Sequence, residues 1–402
     1  MLPVVQLVLA YQIATIHLGN QDTCYYNFRC ATPLLGFSAF NNVFSNIAYV
    51  VLGFLFIVIV RYHDGWLRNW EYRTVTRAGR RDSPLVSTIA PSPSTTIASH
   101  MISLKQPVTS LGIPPIHGIS YALGVALIME GIMSACYHVC PNSSNFQFDT
   151  TYMYITAWLL IAKIYQSRHP DIGRNAHLFF VGVAVIIFLA MLGAVFGVDS
   201  IFFYILLMIV MVPMTFDLSL YFYFMGSFKM DVTIGYRVYH ACCQMVASRS
   251  CMPDHPFRLV FVAVFNFLNW GMAIFGIVTH PADFDTFLLT ISISNVMLYT
   301  VYYVSMKIRH KERIHPLAVL LVIIAAGFWA SAFFFFVEHQ TTWQLTPAES
   351  RNLNKPCILF NFFDAHDVWH FLSAFALFSS FLILLVIDDE IMLQPRDRIP
   401  VF

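Results

Sequence analysis

The sequence predicts an all-α membrane protein, a polytopic transmembrane helical bundle of about ten helices. Three observations predict it. Of 402 residues, 58% are hydrophobic and only 11% charged, and the mean hydropathy is +0.65, outside the range of water-soluble domains. Apolar runs long enough to cross a bilayer recur along the chain. Lys and Arg gather in alternate connections between those runs, as the positive-inside rule requires.

Taken in order, the runs cover 43–60, 116–136, 150–167, 177–196, 200–225, 258–278, 285–305, 316–337 and 366–387. A shorter stretch, 2–18, carries Gln6, Gln12 and His17 and is expected to be the later half of a spanning helix, with a surface-lying helix as the alternative. No basic segment precedes it, so no cleavable signal peptide is expected. The chain is expected to start within a transmembrane segment or to have lost an upstream domain.

Alternation of the runs puts loops 61–113, 163–177, 226–258 and 305–315 and the tail 388–402 on one side, with 20 of the 23 Lys and Arg residues; Arg29, Arg351 and Lys355 fall on the other. The basic side is therefore expected in the cytosol. The organisation expected is N-terminal transmembrane segments with a Cys-containing exoplasmic loop over 1–60, a disordered cytosolic loop over 61–113, and the main transmembrane bundle over 114–402. The 61–113 loop joins arginines to a Ser/Thr/Pro stretch, SPLVSTIAPSPSTTIAS, that cannot bury a core. Its arginines read as topology signals and contacts to anionic lipid in preference to an RNA-binding arm. Cys242, Cys243 and Cys251 in 227–257 lack zinc spacing and read as reduced thiols or acylation sites. The exoplasmic side holds Cys24, Cys30, Cys136, Cys140 and Cys357, enough for two disulfides whose pairing the sequence leaves open. Asn142 opens a glycosylation sequon on that side.

Polar residues where the runs surface point to chemistry. Ser134 and His138 are four apart, as are His366 and His370, so each pair shares a helix face. All lie at exoplasmic ends, with Asp149 opening the next helix. Isolated histidines at helix ends are usually satisfied by backbone or water. Two such pairs and a carboxylate at one depth point instead to a zinc ion (Zn2+) on His138, His366 and His370 with an open fourth position. Asp149 would serve as general base beside a metal-bound water, with Ser134 in support. Asp364 and Asp367 flank the last pair and read as solvated or as supporting the ligands. Glu130, one turn below Ser134, reads either as tuning the site or as a protonated interhelical hydrogen bond. Asp217, Asn266, Asn269 and Asn295 read as interhelical glue.

The segments SACYHVCPNSSNFQFDTTYMY (134–154), NQDTCYYNFRC (20–30), FSAFNNVFSNIAYVVLGFLF (37–56), YQSRHPDI (165–172), TPAESR (346–351) and FFDAHDVWHFLSAFALF (362–378), with a terminal IPVF, carry a resemblance. On these the chain resembles the SID (systemic RNA interference defective) transmembrane family over nearly its whole length. The resemblance implies the wider superfamily of alkaline ceramidases and adiponectin receptors, with a seven-helix zinc-hydrolase-like core. It also implies His138, His366 and His370 as ligands, Asp149 holding the water and Ser134 supporting. Family members carry a β-rich exoplasmic ectodomain and one further helix, giving eleven; this chain is expected to lack both.

The function the resemblance implies is double-stranded RNA uptake or transport. The alternative is a zinc-dependent hydrolase of lipid amides or esters. Expected partners are membrane lipids, cholesterol among them, double-stranded RNA mainly through the ectodomain, and a second copy in a homodimer. The expected location is the plasma membrane or a lysosomal or endosomal membrane. The exoplasmic loops set three basic residues against a majority of acidic ones, including Asp22, Asp199, Asp283, Asp285, Glu338 and Glu349. Such a surface grips a polyanion poorly, and no helix spaces basic residues to line a pore.

Overall fold

The computed structural model describes residues 23–81, 116–142, 145–169, 201–224, 234–248, 253–281, 284–338 and 340–402 except 393, 396 and 397, with 112–113 and parts of 180–188. The described residues form an all-helical bundle. In chain order it comprises α1 (Phe40–Ser45), α2 (Ile47–Arg81), α3 (Gly118–His138), α4 (Phe146–Arg168), α5 (Ile201–Phe224), α6 (Ile234–Ser248), α7 (Pro256–Thr279), α8 (Phe284–Arg309), α9 (Pro316–Phe336), α10 (Pro347–Arg351) and α11 (Ala365–Val386). Seven helices among the described residues are long and apolar enough to cross a membrane.

Two expectations shift. The apolar run 43–60 stops where expected, yet α2 continues to Arg81, so 61–81 is helix and not disordered loop. Hydropathy reports where the bilayer ends and not where a helix ends, and RYHDGWLRNWEYRTVTRAGRR contains no proline to break it. The Ser/Pro stretch beyond it, the run 2–18 and most of 177–196 lie outside the described residues. The run 150–167 is helical as α4 but is not among the seven spans, because Lys163, Gln166 and several Thr and Tyr residues lower its hydropathy, with Asp149 and Arg168 at its ends. A polar helix of this kind is tolerated at membrane depth only inside the protein, and α4 is packed between α3 and α8.

One core joins α2, α3, α4 and α11 through residues such as Tyr49, Phe56, Leu123, Leu127, Leu159 and Phe381. A second joins α4, α5, α7 and α8 around Tyr154, Tyr204, Phe284 and Phe287. Close backbone approach sets α3 against α1 and α2: a Cβ on Gly131 would stand 2.8 Å from the Asn46 carbonyl oxygen, so only glycine admits this contact. The Asn269 and Asn295 amides exchange hydrogen bonds at 2.8 and 2.7 Å between α7 and α8, and Asn266 donates to Ser219 at 2.7 Å, as interhelical glue should. Asp217 does not join them. It is exposed and makes no bond among the described residues, because its position on α5 faces outward.

The first and last loops close over one end of the bundle. Disulfides join Cys24 to Cys140 and Cys30 to Cys357, bridging separations of 116 and 327 residues, while Cys136 stays free and exposed. Tyr25 donates to the Leu345 carbonyl at 3.2 Å, and the Phe28 amide to Asn354 at 2.9 Å. Beneath this cover lie the ends of α3 and the starts of α4 and α11. Asn142 is buried here, with its amide nitrogen donating to the Cys140 carbonyl at 3.0 Å; a glycan on that nitrogen would displace the bond.

Candidate metal centre

A reciprocal capping box starts α11. Asp364 accepts from the Asp367 amide and Asp367 from the Asp364 amide, both at 3.0 Å, satisfying two donors that a helix start leaves open. This sets the phase at which His366 and His370 emerge from the first turns. Asp367 is fully buried and accepts a further bond from Asn41 of α1 at 2.8 Å. It is therefore not solvated: its carboxylate holds α11 to the start of the bundle, and Asn27 holds Asp364 at 3.0 Å.

His138, at the last turn of α3, meets the pair. One ring nitrogen from each of His138, His366 and His370 lies within 4.8 Å of the others, and the ring centroids are 4.5 to 5.1 Å apart. His138 Nε2, His366 Nε2 and His370 Nε2 are all buried without a hydrogen-bond partner. Three bare or half-used imidazole nitrogens at one point cost free energy in a dry interior, and a cation between them removes that cost.

The far nitrogen of His370 is held by a serine. Ser45 Oγ lies 2.7 Å from His370 Nδ1 and 2.9 Å from the Asn42 carbonyl, while His370 Nε2, on the other side of the ring, has no partner. Fixing the far nitrogen in this way is what orients metal-binding histidines.

Asp149, at the first turn of α4, lies close to Ser134 and within the field of His366. Asp149 Oδ1 and Glu130 Oε2 are likewise buried without partners, and Ser134 Oγ has none beyond its approach to Asp149. All five residues named from the spacing are thus brought to one place, with Glu130 a turn deeper in α3. The supporting residues Ser45 and Asn41 were not foreseen. A short polar residue before an apolar run reads as an ordinary cap, and nothing local marks which histidine it serves.

The opposite end of the bundle holds a constellation of another kind. Arg168 donates to both carboxylate oxygens of Glu312 at 3.0 and 2.6 Å, to Asp388 at 3.1 Å, and to the Tyr303 hydroxyl at 3.1 Å. Lys307 reaches Asp388 at 2.7 Å and Glu312 at 2.9 Å. Tyr303 donates to Asp388, and the Phe402 ring lies 4.5 Å from the guanidinium. Burial lowers the pKa of neighbouring His169 from 6.5 to about 4, so it adds no third positive charge. Arg168 and Lys307, counted from the sequence as loop cations that report topology, are both fully buried.

The whole of residues 1–402 matches the family described as dsRNA-gated channel SID-1. The chain belongs to the SID-1 RNA channel family. It is 43% identical over 404 residues to SID1 transmembrane family member 1 of Homo sapiens, covering all of this chain and 45% of that protein. It is 37% identical over 404 residues to cholesterol uptake protein 1 of Caenorhabditis elegans, covering 99% of this chain and 49% of that protein. The chain spans about half the length of the curated relatives it matches. The resemblance read from the SACYHVCP and DAHDVWHF segments is thereby established at the level of the SID-1 family.

Proposed function

We propose that this chain is the membrane bundle of a protein serving double-stranded RNA uptake or transport with sterol and lipid association, and that its histidine end holds zinc. The RNA and sterol parts rest on membership of the SID-1 family and on the likeness to cholesterol uptake protein 1. RNA would be gripped mainly by regions that the longer relatives carry beyond the matched span, since the loops of this chain offer it few cations. The zinc part is carried by one observation: His138, His366 and His370 bring one ring nitrogen each within 4.8 Å of the others, and the Nε2 of each is buried without a partner. The neutral, nitrogen-only donor set fits zinc, and three protein ligands leave a position open. By the basic-residue asymmetry the histidine end faces the exoplasm, at the plasma membrane or in a lysosomal or endosomal membrane. A homodimer extends the same reading.

A second reading, hydrolysis of a lipid amide or ester as in the ceramidase and adiponectin receptor superfamily, is favoured by the buried oxygens of Asp149 and Ser134 beside the histidines. When bound, zinc would supply Lewis acidity and make water nucleophilic near neutral pH. Asp149 would take up the proton at Oδ1, Ser134 would orient the acceptor by a hydrogen bond, and the disulfide-closed loops would exclude bulk water. The test is to purify the chain, measure its metal and present a lipid panel with and without chelator. About one zinc per chain is expected. Asp149→Asn should keep the zinc and slow chelator-sensitive turnover by roughly 10² to 10⁴. Bound zinc with no turnover would leave the metal structural, and equal metal loss in Asp149→Asn and His370→Ala would make Asp149 a ligand.

A further inference from the structure

Helix α6, Ile234–Ser248, lies between the end of α5 at Phe224 and the start of α7 at Pro256. Both neighbours place it at the Arg168 end, at the depth where the spans finish. Arg237 donates to the Phe224 carbonyl at 2.8 Å, which ties the helix to the last turn of α5. At 100° per residue, Arg237, His240 and Gln244 share one arc. Tyr239, Cys242 and Val246 lie on the opposite arc, with Cys243 at its edge. That apolar arc has no protein cover among the described residues: Tyr239 and Val246 are 66% and 80% exposed. A helix with one polar and one bare apolar face, tied to the end of a membrane span, is built to lie in the lipid interface with its apolar side in the acyl boundary.

Cys242 and Cys243 are both free and exposed, with Cys242 between Tyr239 and Val246 on the lipid-seeking face. At the histidine end, by contrast, Cys24, Cys30, Cys140 and Cys357 are all in disulfides, which fits the two ends facing opposite redox compartments.

We propose that α6 is a membrane-surface helix anchored by S-acylation of Cys242 and Cys243. The inference rests on the reading that the Arg168 end faces the cytosol, where long-chain acyl-coenzyme A is the donor. The cysteine thiolate attacks the acyl carbonyl and a thioester forms on the cysteine. The bond between the acyl carbon and the coenzyme A sulfur breaks, and coenzyme A leaves as the thiol with the proton the cysteine gave up. No oxidant or reductant is needed. A single acyl chain binds a membrane marginally, whereas two chains beside an apolar helix face hold it stably.

The test uses the full chain expressed in cells. Free thiols are blocked, thioesters are cleaved with hydroxylamine, and the released thiols are tagged with a polyethylene glycol maleimide. The expected result is a hydroxylamine-dependent shift of two tags, one tag in Cys242→Ser and in Cys243→Ser, none in the double variant, and an unchanged shift in Cys251→Ser. No shift in the wild-type chain, or a shift that survives the double variant and vanishes in Cys251→Ser, would overturn the proposal. Membrane-impermeant maleimide on intact cells, with the exposed thiol of Cys136 as the outside control, separates the two readings. External labelling of Cys242 and Cys243 overturns the side assignment and the acylation together. No external labelling with no hydroxylamine-dependent shift overturns the acylation alone.

Discussion

At its first turns α11 brings His366 and His370 to His138 and leaves their Nε2 atoms without partners. At the other end, roughly 27 Å from His370 by helix rise, Asp388 enters a cluster in which Arg168, Lys307 and Glu312 all find opposite charges. Both ends bury polar groups where a bilayer penalises them. The difference is in what remains unsatisfied. The Arg168 cluster balances two positive against two negative side chains and spends its donors on carboxylates and a phenol, so it needs no ligand and acts as a clamp between α4, α8 and the segment after α11. The histidine cluster holds unspent lone pairs, and a natural fold retains such a deficit where something else completes it. Polarity alone does not distinguish a site from a clamp; what does is that the charged groups of the Arg168 cluster are all paired, whereas the ligating atoms of the histidine cluster are not.

The comparison can be broken most directly at the clamp. Arg168→Met leaves Lys307 alone against two buried carboxylates, and the expected loss is about 3–5 kcal/mol of stability, read as a lowered unfolding temperature in detergent with metal content unchanged. A stability change near zero would mean that the cluster is not a clamp. At the histidine end, His370→Ala should abolish bound metal, and stripping the wild type with chelator should lower stability by about 2.7 kcal/mol if metal had been present at a hundred times its dissociation constant. Chelator should not lower the stability of His370→Ala further; if it does, the metal is held elsewhere. The finest test is Ser45→Ala. It removes the hydrogen-bond partner of His370 Nδ1 without touching a ligand, and metal affinity should fall by roughly 10–100-fold, measured by competition with a chromogenic chelator. An unchanged affinity would show that the tautomer of His370 does not depend on Ser45.

Much of the candidate site was legible before folding. Ser134 with His138, and His366 with His370, announce themselves because helical periodicity converts a spacing of four into a shared face. Asp149 follows from its place at the start of the next apolar run. Asp367 reads from the sequence as solvated or as supporting the ligands; its burial removes the first alternative, and that burial comes with Asn41, 326 residues away in sequence. Arg168 and Lys307 were misjudged: near the ends of apolar segments a cation looks like a boundary marker, and only the approach of Glu312 and Asp388 shows that it is inside.

The sequence by itself determined the membrane class, the positions of most helices and the faces on which their polar residues stand. These are local properties, set within a few turns by hydropathy and by the 3.6-residue repeat. Only the tertiary structure decided which cysteines pair, which serine holds the far nitrogen of His370, and which charges are buried. Each of these depends on a partner brought in by packing from far along the chain, and a pattern read within one helix carries no information about what its neighbour will present.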